Sequence, residues 1–255
     1  MQTLRELCGL NTQGRGELIL SALNSLGVDV TTQCFPGQAR DYRNIIARIR
    51  SGSSEHQIAL AAHYDKTDRG EGAIDNGAGV VELLYVLGKL NSDAAGYDVT
   101  FLFFDGEEDH CVGSRYFVEN SDRGFRGVYN VDFAGVGDSV LLASSSYDSY
   151  TRRDVANDSE LNRRVESVCR DKGLQAYHVD SPEADNVPFS LAGVPSTVIF
   201  TLPRQEAKEW SEGTKPWDLP TMKLINGEGD TFERVNPKTI NMMTDVLLTL
   251  VHSYR

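Results

Sequence analysis

Side chains that can bind a metal ion follow three apolar runs of this sequence, at the point where each run ends. The runs are IALAA, VTFLFF and GVYNV, and the residues that follow them are His63, Glu107, Glu108 and Asp132. Runs without polar alternation are typical of strands buried on both faces of a sheet. Because ligands in open α/β sheets gather beyond the carboxyl ends of the strands, we expect these side chains to form one site.

Two further carboxylates belong to this pattern. Asp75 lies where a glycine-rich turn, IDNGAG, enters an apolar helix, a position where a lone aspartate would be an ordinary N-cap. Asp65 is two residues beyond His63, so both side chains point the same way at the strand end. A carboxylate beside a metal-binding imidazole fixes its tautomer and orientation, although the pair can equally be a surface contact. The equivalent placement of several candidates favours a shared site.

The residue types indicate which ion would bind. One histidine with several carboxylates suits zinc, with manganese or cobalt as alternatives. One ion would suffice, but carboxylates can also bridge two ions about 3.5–4 Å apart. Adjacent Glu107 and Glu108 can divide the work, one binding metal while its neighbour stays free as the general base that deprotonates water.

Composition excludes several classes of partner. A net charge of −12 and a pI near 4.9 argue against nucleic-acid binding through a basic face. No apolar run approaches the roughly 20 residues of a membrane span. The first residues, MQTLRELCGL, lack the basic and apolar segments of a signal peptide, so we expect a cytoplasmic protein. A small polar substrate such as a peptide or aminoacyl compound suits this charge, and no feature specifies an oligomeric state.

Strands alternate with helices along the chain, without a linker-like segment. This order predicts a single α/β domain over 1–255, built as three α/β/α layers around a mixed, mostly parallel sheet. The first two strands, 28–35 and 44–49, are close enough in sequence to form an antiparallel pair at one end of the sheet. Residues 203–230 have little periodicity and predict a long loop that acts as a lid or specificity loop.

The order of these motifs resembles that of the two-zinc aminopeptidase family of metallopeptidase clan MH. That family also contains glutaminyl cyclases and glutamate carboxypeptidases. The resemblance covers nearly the whole chain from Asn44 onward. The motifs that carry it are His63-x-Asp65, Asp75-Asn76-Gly77, Glu107-Glu108, Asn130-x-Asp132 and Gly229-Asp230-Thr231.

The resemblance implies a ligand for each metal. Asp75 would be the carboxylate that bridges two metal ions. His63 and Asp132 would complete the site of one ion, and Glu108 would bind the other. The family also tends to have a cis peptide bond after the bridging aspartate, so we expect one between Asp75 and Asn76.

The same resemblance implies an activity. Glu107 would be the general base and Asp65 the partner that orients His63. The expected function is a metal-dependent aminopeptidase that removes N-terminal residues from peptides. A carboxypeptidase is less favoured because the sequence has no obvious basic cluster for a terminal carboxylate, with Arg115 and Arg204 as the two exceptions.

One ligand of the family is missing. Its last metal ligand is a histidine four or five residues before the late aspartate, and these positions hold Asn226 and Ile225 here. An asparagine offers only a neutral amide oxygen, which is a poor zinc ligand. Asn226, His178 and Asp185 remain as candidates for a weak ligand or a pocket residue.

This loss keeps two alternatives open. The first is a non-catalytic or one-metal binding protein on the same fold, although a retained Glu107 has no structural duty that a neutral residue could not perform. The second and weaker one is a glutaminyl cyclase-like acyltransferase, because in that group the single metal is held by the glutamate and the late histidine.

Overall fold

One mixed sheet of nine strands organises the computed structural model, which describes residues 1–37, 40–50, 57–92, 98–121 and 124–254. The strands are β1 (Asp29–Pro36), β2 (Asp41–Ile49), β3 (Ile58–His63), β4 (Val99–Phe104), β5 (Gly127–Val131), β6 (Ser139–Asp148), β7 (Arg153–Ala156), β8 (Gln175–Ser181) and β9 (Ser196–Leu202). Their order is β1-β2-β4-β3-β5-β9-β6-β7, and β8 pairs with β6.

Helices cover both faces of the sheet. They are α1 (Gln2–Cys8), α2 (Thr12–Leu26), α3 (Ala78–Asn91), α4 (Val112–Asn120), α5 (Ser159–Asp171), α6 (Asn186–Leu191), α7 (Arg204–Ser211) and α8 (Pro237–His252). A π-helical turn, Ala73–Gly77, precedes α3, and short 3-10 turns lie at Pro216–Asp218 and Phe232–Arg234. None of these helices combines the length and apolar character needed to cross a bilayer.

Alternation along the buried strands gives the sheet two separate cores. In β4, Phe101 and Phe103 pack into the core beneath α3 and α8. Leu102 and Phe104 point to the opposite face, where they pack against Phe117 of α4. Successive side chains of a strand alternate between faces, so an uninterrupted apolar strand must be covered on both sides. The predicted three-layer α/β/α arrangement is confirmed.

The direction of the strands differs somewhat from the expectation. The central strands β4, β3, β5 and β9 are parallel, and the predicted antiparallel pairing of β1 with β2 is confirmed. Antiparallel pairing also occurs at the other end, where β6 pairs with β9 and β7. The sheet is therefore more evenly mixed than the sequence suggests.

The segment 203–230 is not an uninterrupted loop, and this part of the prediction was wrong. Eight residues form α7, and Ala207 and Trp210 of this helix are buried in the core. Their spacing of three residues puts them on one helical face. The helix is short enough that this single contact pair gives little periodicity in the sequence.

Candidate functional site

Three buried side chains that could hold a metal ion converge at the carboxyl ends of the central strands. The Nε2 atom of His63 lies 2.9 Å from Oδ1 of Asp75 and 3.4 Å from Oδ1 of Asp132. The ligand atoms of the three residues all lie within 4.8 Å of one another. All three side chains are almost completely inaccessible to solvent.

Neighbouring strands bring two of these ligands together. His63 is the last residue of β3, and Asp132 directly follows β5, which pairs with β3 in parallel register. The backbone N–H of Asp132 donates to the carbonyl of Ile199, and its Oδ1 accepts from the N–H of Phe133 at 2.8 Å. The aspartate is thus held in place by backbone contacts before any ion binds.

The third ligand is held by a carboxylate from a distant part of the chain. Asp230 accepts hydrogen bonds from the backbone N–H groups of Ala73 (2.9 Å), Ile74 (2.6 Å) and Asp75 (3.2 Å). The peptide bond between Asp75 and Asn76 is cis, as expected. The turn that presents Asp75 therefore depends on Asp230, to which the sequence alone attached no role.

A buried arginine fixes the loop between β3 and this turn. Arg15 of α2 is fully inaccessible, and its guanidinium donates to the carbonyls of Leu7, Tyr64, Glu71 and Gly72. Five N–H donors in a planar fork can satisfy several carbonyls at once. From sequence, an arginine in an amphipathic helix gives no sign of burial, so this residue was missed.

Asp65 connects His63 with the two glutamates. Its Oδ1 lies 3.4 Å from Nδ1 of His63, longer than an ordinary hydrogen bond. Its carboxylate accepts from the backbone N–H groups of Glu107 (3.1 Å) and Glu108 (3.2 Å). Burial opposes the charge of Asp65, but these contacts with His63 and the two N–H groups together lower its pKa. Asp65 therefore stays ionised.

The two glutamates occupy different surroundings. Glu107 Oε2 lies 4.0 Å from Nε2 of His63, so this carboxylate faces the same point as the ligands. Burial raises the pKa of Glu107 well above its usual range, and the neighbouring carboxylates Asp132 and Asp185 add to the rise. Burial, followed by the charge of Asp75, raises the pKa of Glu108 to about 9.

The charge distribution fits a bound cation. Burial alone would lower the pKa of His63, yet the carboxylates of Glu107 and its neighbours raise it well above the usual value. Several buried carboxylates around one imidazole are a large excess of negative charge, which a divalent cation would offset. One imidazole nitrogen with carboxylate oxygens is a donor set that suits zinc.

A cavity of about 180 Å³ opens beside these residues. Its acidic floor and its apolar and aromatic walls come from separate parts of the chain, and two of its members, His110 and Trp217, are exposed to solvent. The lining residues are Asp75, Glu107, Glu108, His110, Phe133, Pro182, Glu183, Trp217, Ile225 and Asn226.

The structure places the three remaining candidate residues in different surroundings. Asn226 contacts the carboxylates of Asp75 and Glu108. Asp185 is fully buried, and neither of its oxygens has a hydrogen-bond partner among the described residues. The expectation that His178 lines the pocket was wrong. This residue belongs to β8, which lies away from the central strands, and the His178 side chain is 45% exposed beside Glu166.

Neither arginine singled out in the sequence is free to receive a terminal carboxylate. Arg115 donates to Asp148 and Glu183, both at 2.6 Å, and Arg204 is an exposed side chain 3.5 Å from Asp138. Arg115 nevertheless has a structural effect near the pocket, since Glu183 is one of the lining residues.

Curated proteins with sequences similar to this chain include aminopeptidases. The chain is 27% identical over 259 residues to leucine aminopeptidase 2 of Trichophyton equinum, covering 95% of this chain and 51% of that protein. The chain thus spans about half the length of the curated relatives it matches.

Solved structures share the fold at lower identity. The LapA aminopeptidase of Legionella pneumophila superposes with a TM-score of 0.76 at 15% identity, over 98% of this chain and 69% of that one. The glutaminyl cyclase of Porphyromonas gingivalis gives 0.77 at 19% identity, over 100% and 96% of the two chains. The model of peptidase family M28 matches residues 44–251, a span that contains every ligand described above, and the chain therefore belongs to peptidase family M28.

Proposed function

We propose that this chain is a metal-dependent aminopeptidase that removes N-terminal residues from peptides. The observation that carries the proposal is the convergence of His63, Asp75 and Asp132 on one point that Glu107 also faces, beside an open cavity. Family M28 membership and the aminopeptidase relatives support the same reaction class.

The metal of this proposal is zinc, with manganese or cobalt as substitutes. His63, Asp75 and Asp132 would hold the ion, and the donor chemistry described above supports that assignment. When bound there, a divalent cation would lower the pKa of water and polarise the carbonyl of the scissile bond.

Glu107 would move the proton. Its carboxylate lies close enough to the ligands to accept a proton from the attacking water and pass it to the leaving amine. Burial and the neighbouring carboxylates raise the pKa of Glu107 in the metal-free site, and a cation bound there would favour its ionised form, which can accept the proton. Asp65 would keep the imidazole of His63 in position. Because it also accepts from the backbone N–H groups of Glu107 and Glu108, it would position both glutamates.

The cavity supports a substrate of defined type. Its acidic floor suits the positively charged α-amine of a peptide, and its walls of Phe133, Ile225 and Trp217 suit an uncharged side chain. Because Trp217 and Ile225 lie within 203–230, we assign this segment as the specificity loop of the enzyme. A volume of about 180 Å³ accommodates one residue rather than a long segment of chain.

The test compares two glutamates. The chain carrying Glu107→Gln and a control carrying Glu166→Gln, a half-exposed glutamate remote from the ligands, are assayed on aminoacyl chromogenic substrates. We expect Glu107→Gln to lower kcat by roughly 10²–10⁴-fold with the metal retained, because a general base contributes about that much. Unchanged turnover in this variant would refute the proposed base.

Two other functions predict no release of the chromogen in this assay, and mass spectrometry of peptides with N-terminal glutamine separates them. A glutaminyl cyclase is favoured by one observation, the similarity over the full length of both chains. It would convert peptides with N-terminal glutamine without cleaving them. A non-catalytic binding protein would bind the metal but turn over none of the substrates.

A further inference from the structure

Asn226 lies between two carboxylates of the site. Its Nδ2 is 3.0 Å from Oε2 of Glu108 and 3.3 Å from Oδ2 of Asp75. Both contacts are hydrogen bonds in which the amide donates. The oxygen of Asp75 that receives this bond is not the one that faces His63, which is Oδ1. Asp75 thus has one oxygen toward the ligand cluster and one toward Asn226.

The position of Asn226 is fixed by its loop. Its φ of +57° is in the left-handed region, which asparagine adopts more readily than most residues. The backbone of Gly227 packs closely on Gly70, where a Cβ would lie 2.1 Å from the Gly227 carbonyl oxygen. Asp230, a few residues on, binds the turn that carries Asp75. The loop is therefore tied to the same turn from two sides.

An amide donor in this position excludes a second cation. A cation between Asp75 and Glu108 would meet the partial positive charge of the Nδ2 hydrogens instead of a lone pair. If the amide were reversed, its oxygen would face two carboxylates, an arrangement that a bound cation would stabilise. That cation would have oxygen ligands alone, whereas zinc prefers nitrogen or sulfur in its ligand set.

We propose, on the basis of the metal centre assigned above, that the Asn226 amide takes the place of a second cation. The chain then binds a single divalent ion at His63, Asp75 and Asp132. Asn226 keeps Glu108 in position by hydrogen bonding, where a second ion would have bound it. A nitrogen ligand at position 226 is all that the second site lacks, since Glu108 and Oδ2 of Asp75 already face it.

The experiment counts ions. The wild-type chain, Asn226→His and a control Asn120→His, on the exposed end of α4, are stripped of metal, given excess zinc and desalted before elemental analysis. We expect one zinc per chain in the wild type and the control, and two in Asn226→His. If Asn226→His fails to fold, Asn226→Asp serves as the second variant, because aspartate also tolerates a left-handed backbone. Its all-oxygen site is loaded with manganese instead of zinc, and we expect two Mn²⁺ ions per chain.

A double variant locates the two ions. Removing His63 from the wild type should abolish tight binding, whereas N226H combined with H63A should retain one zinc. Manganese gives an independent readout, since two bridged Mn²⁺ ions are magnetically coupled and one ion is not. We expect the coupled spectrum in Asn226→His and an uncoupled one in the wild type and in Asn120→His.

The outcomes separate this inference from the proposed function. Two tightly bound ions in an active wild type would overturn the role of Asn226 and leave the aminopeptidase proposal standing. One zinc in a folded Asn226→His, or one manganese in a folded Asn226→Asp, would also overturn it. A wild type that binds no ion at all would refute the metal centre itself, and with it the proposed function.

Discussion

Asp230 holds the backbone of Asp75 although 155 residues separate them, its Oδ2 accepting from the Asp75 N–H at 3.2 Å. Its other oxygen binds the two preceding N–H groups. A carboxylate with three backbone donors makes this turn a specific structure rather than a flexible loop. The geometry of the proposed metal centre therefore depends on a residue that does not touch the side chains of the candidate ligands.

We expect Asp230→Asn to weaken zinc binding. The substituted amide would direct an NH2 group toward N–H donors, so Asp75 would lose its fixed orientation. Loss of such an outer contact typically costs roughly 10–100-fold in metal affinity. Competition with a zinc-binding dye measures the affinity, and Asp245→Asn, an exposed partner of Lys172, is the control. Equal affinities in the two variants would show that Asp230 does not position the site.

Glu108→Gln tests whether Glu108 contacts the metal or the substrate. If Asn226 replaces a second ion, this variant should still bind one zinc with nearly unchanged affinity. Glu108 is a half-buried carboxylate that lines the pocket. We therefore expect it to receive the substrate α-amine.

The kinetic consequence of Glu108→Gln follows from that contact. Losing a hydrogen bond to a charged group costs about 1.5–3 kcal/mol, which corresponds to a KM raised roughly 10–100-fold. Steady-state kinetics on aminoacyl substrates measure it. Loss of the bound zinc would contradict this assignment and make Glu108 a metal ligand.

The buried Glu82 should make the stability of the protein fall as pH rises. This residue of α3 is fully buried, and neither oxygen has a partner in the described part of the chain. Burial raises the pKa of Glu82 well above its ordinary value of 4.5. Between the unfolded and folded pKa values the native state holds a proton that the unfolded state has lost, so the stability from Glu82 falls as pH rises.

The slope can be isolated with Glu82→Gln. The neutral glutamine side chain cannot titrate. For each pH unit above 5.5, the free energy of unfolding of the wild type should therefore fall by about 1.4 kcal/mol more than that of the variant, until the pKa of Glu82 in the folded state is reached. Urea unfolding of the metal-free chains at pH 5.5 and 6.5 provides the comparison. If the free energy of unfolding changes equally with pH in the two chains, Glu82 is ionised in the native state.

Arg15 should matter for stability more than any exposed arginine. Arg15→Met keeps the apolar stem but leaves the four carbonyls without their donor, and each buried unsatisfied group costs about 1–3 kcal/mol. We expect the free energy of unfolding to fall by about 3 kcal/mol or more. Arg170→Met, on the exposed face of α5, should change it by less than about 0.5 kcal/mol. A small effect at Arg15 would show that water replaces the guanidinium.

The sequence predicted the sheet and the main candidate ligands because both follow from local patterns. Uninterrupted apolar runs identify β3, β4 and β5, and the residues at their ends are read directly from the chain. Their adjacency in the sheet was not predicted from the runs alone. It follows from the pairing order, which brings His63 and Asp132 together.

Local sequence patterns could not predict the contacts between segments that are distant in the chain. Asp230 looks like an acidic turn residue until its three N–H donors are seen, and Arg15 looks like a surface residue of α2. The donor role of Asn226 likewise depends on which carboxylates surround it. Each of these residues acts through long-range hydrogen bonds, for which neither spacing nor composition gives a signal.

The most direct test of the central claim is a zinc titration of the metal-free chain, followed by turnover of an aminoacyl chromogenic substrate. If His63, Asp75 and Asp132 form one catalytic metal site, activity should rise linearly and reach its full value at one equivalent. The same titration of Glu107→Gln should bind one zinc and remain inactive. Activity that appears only as a second equivalent binds would contradict the one-ion centre, and zinc binding without turnover of any substrate would contradict the assignment as an enzyme.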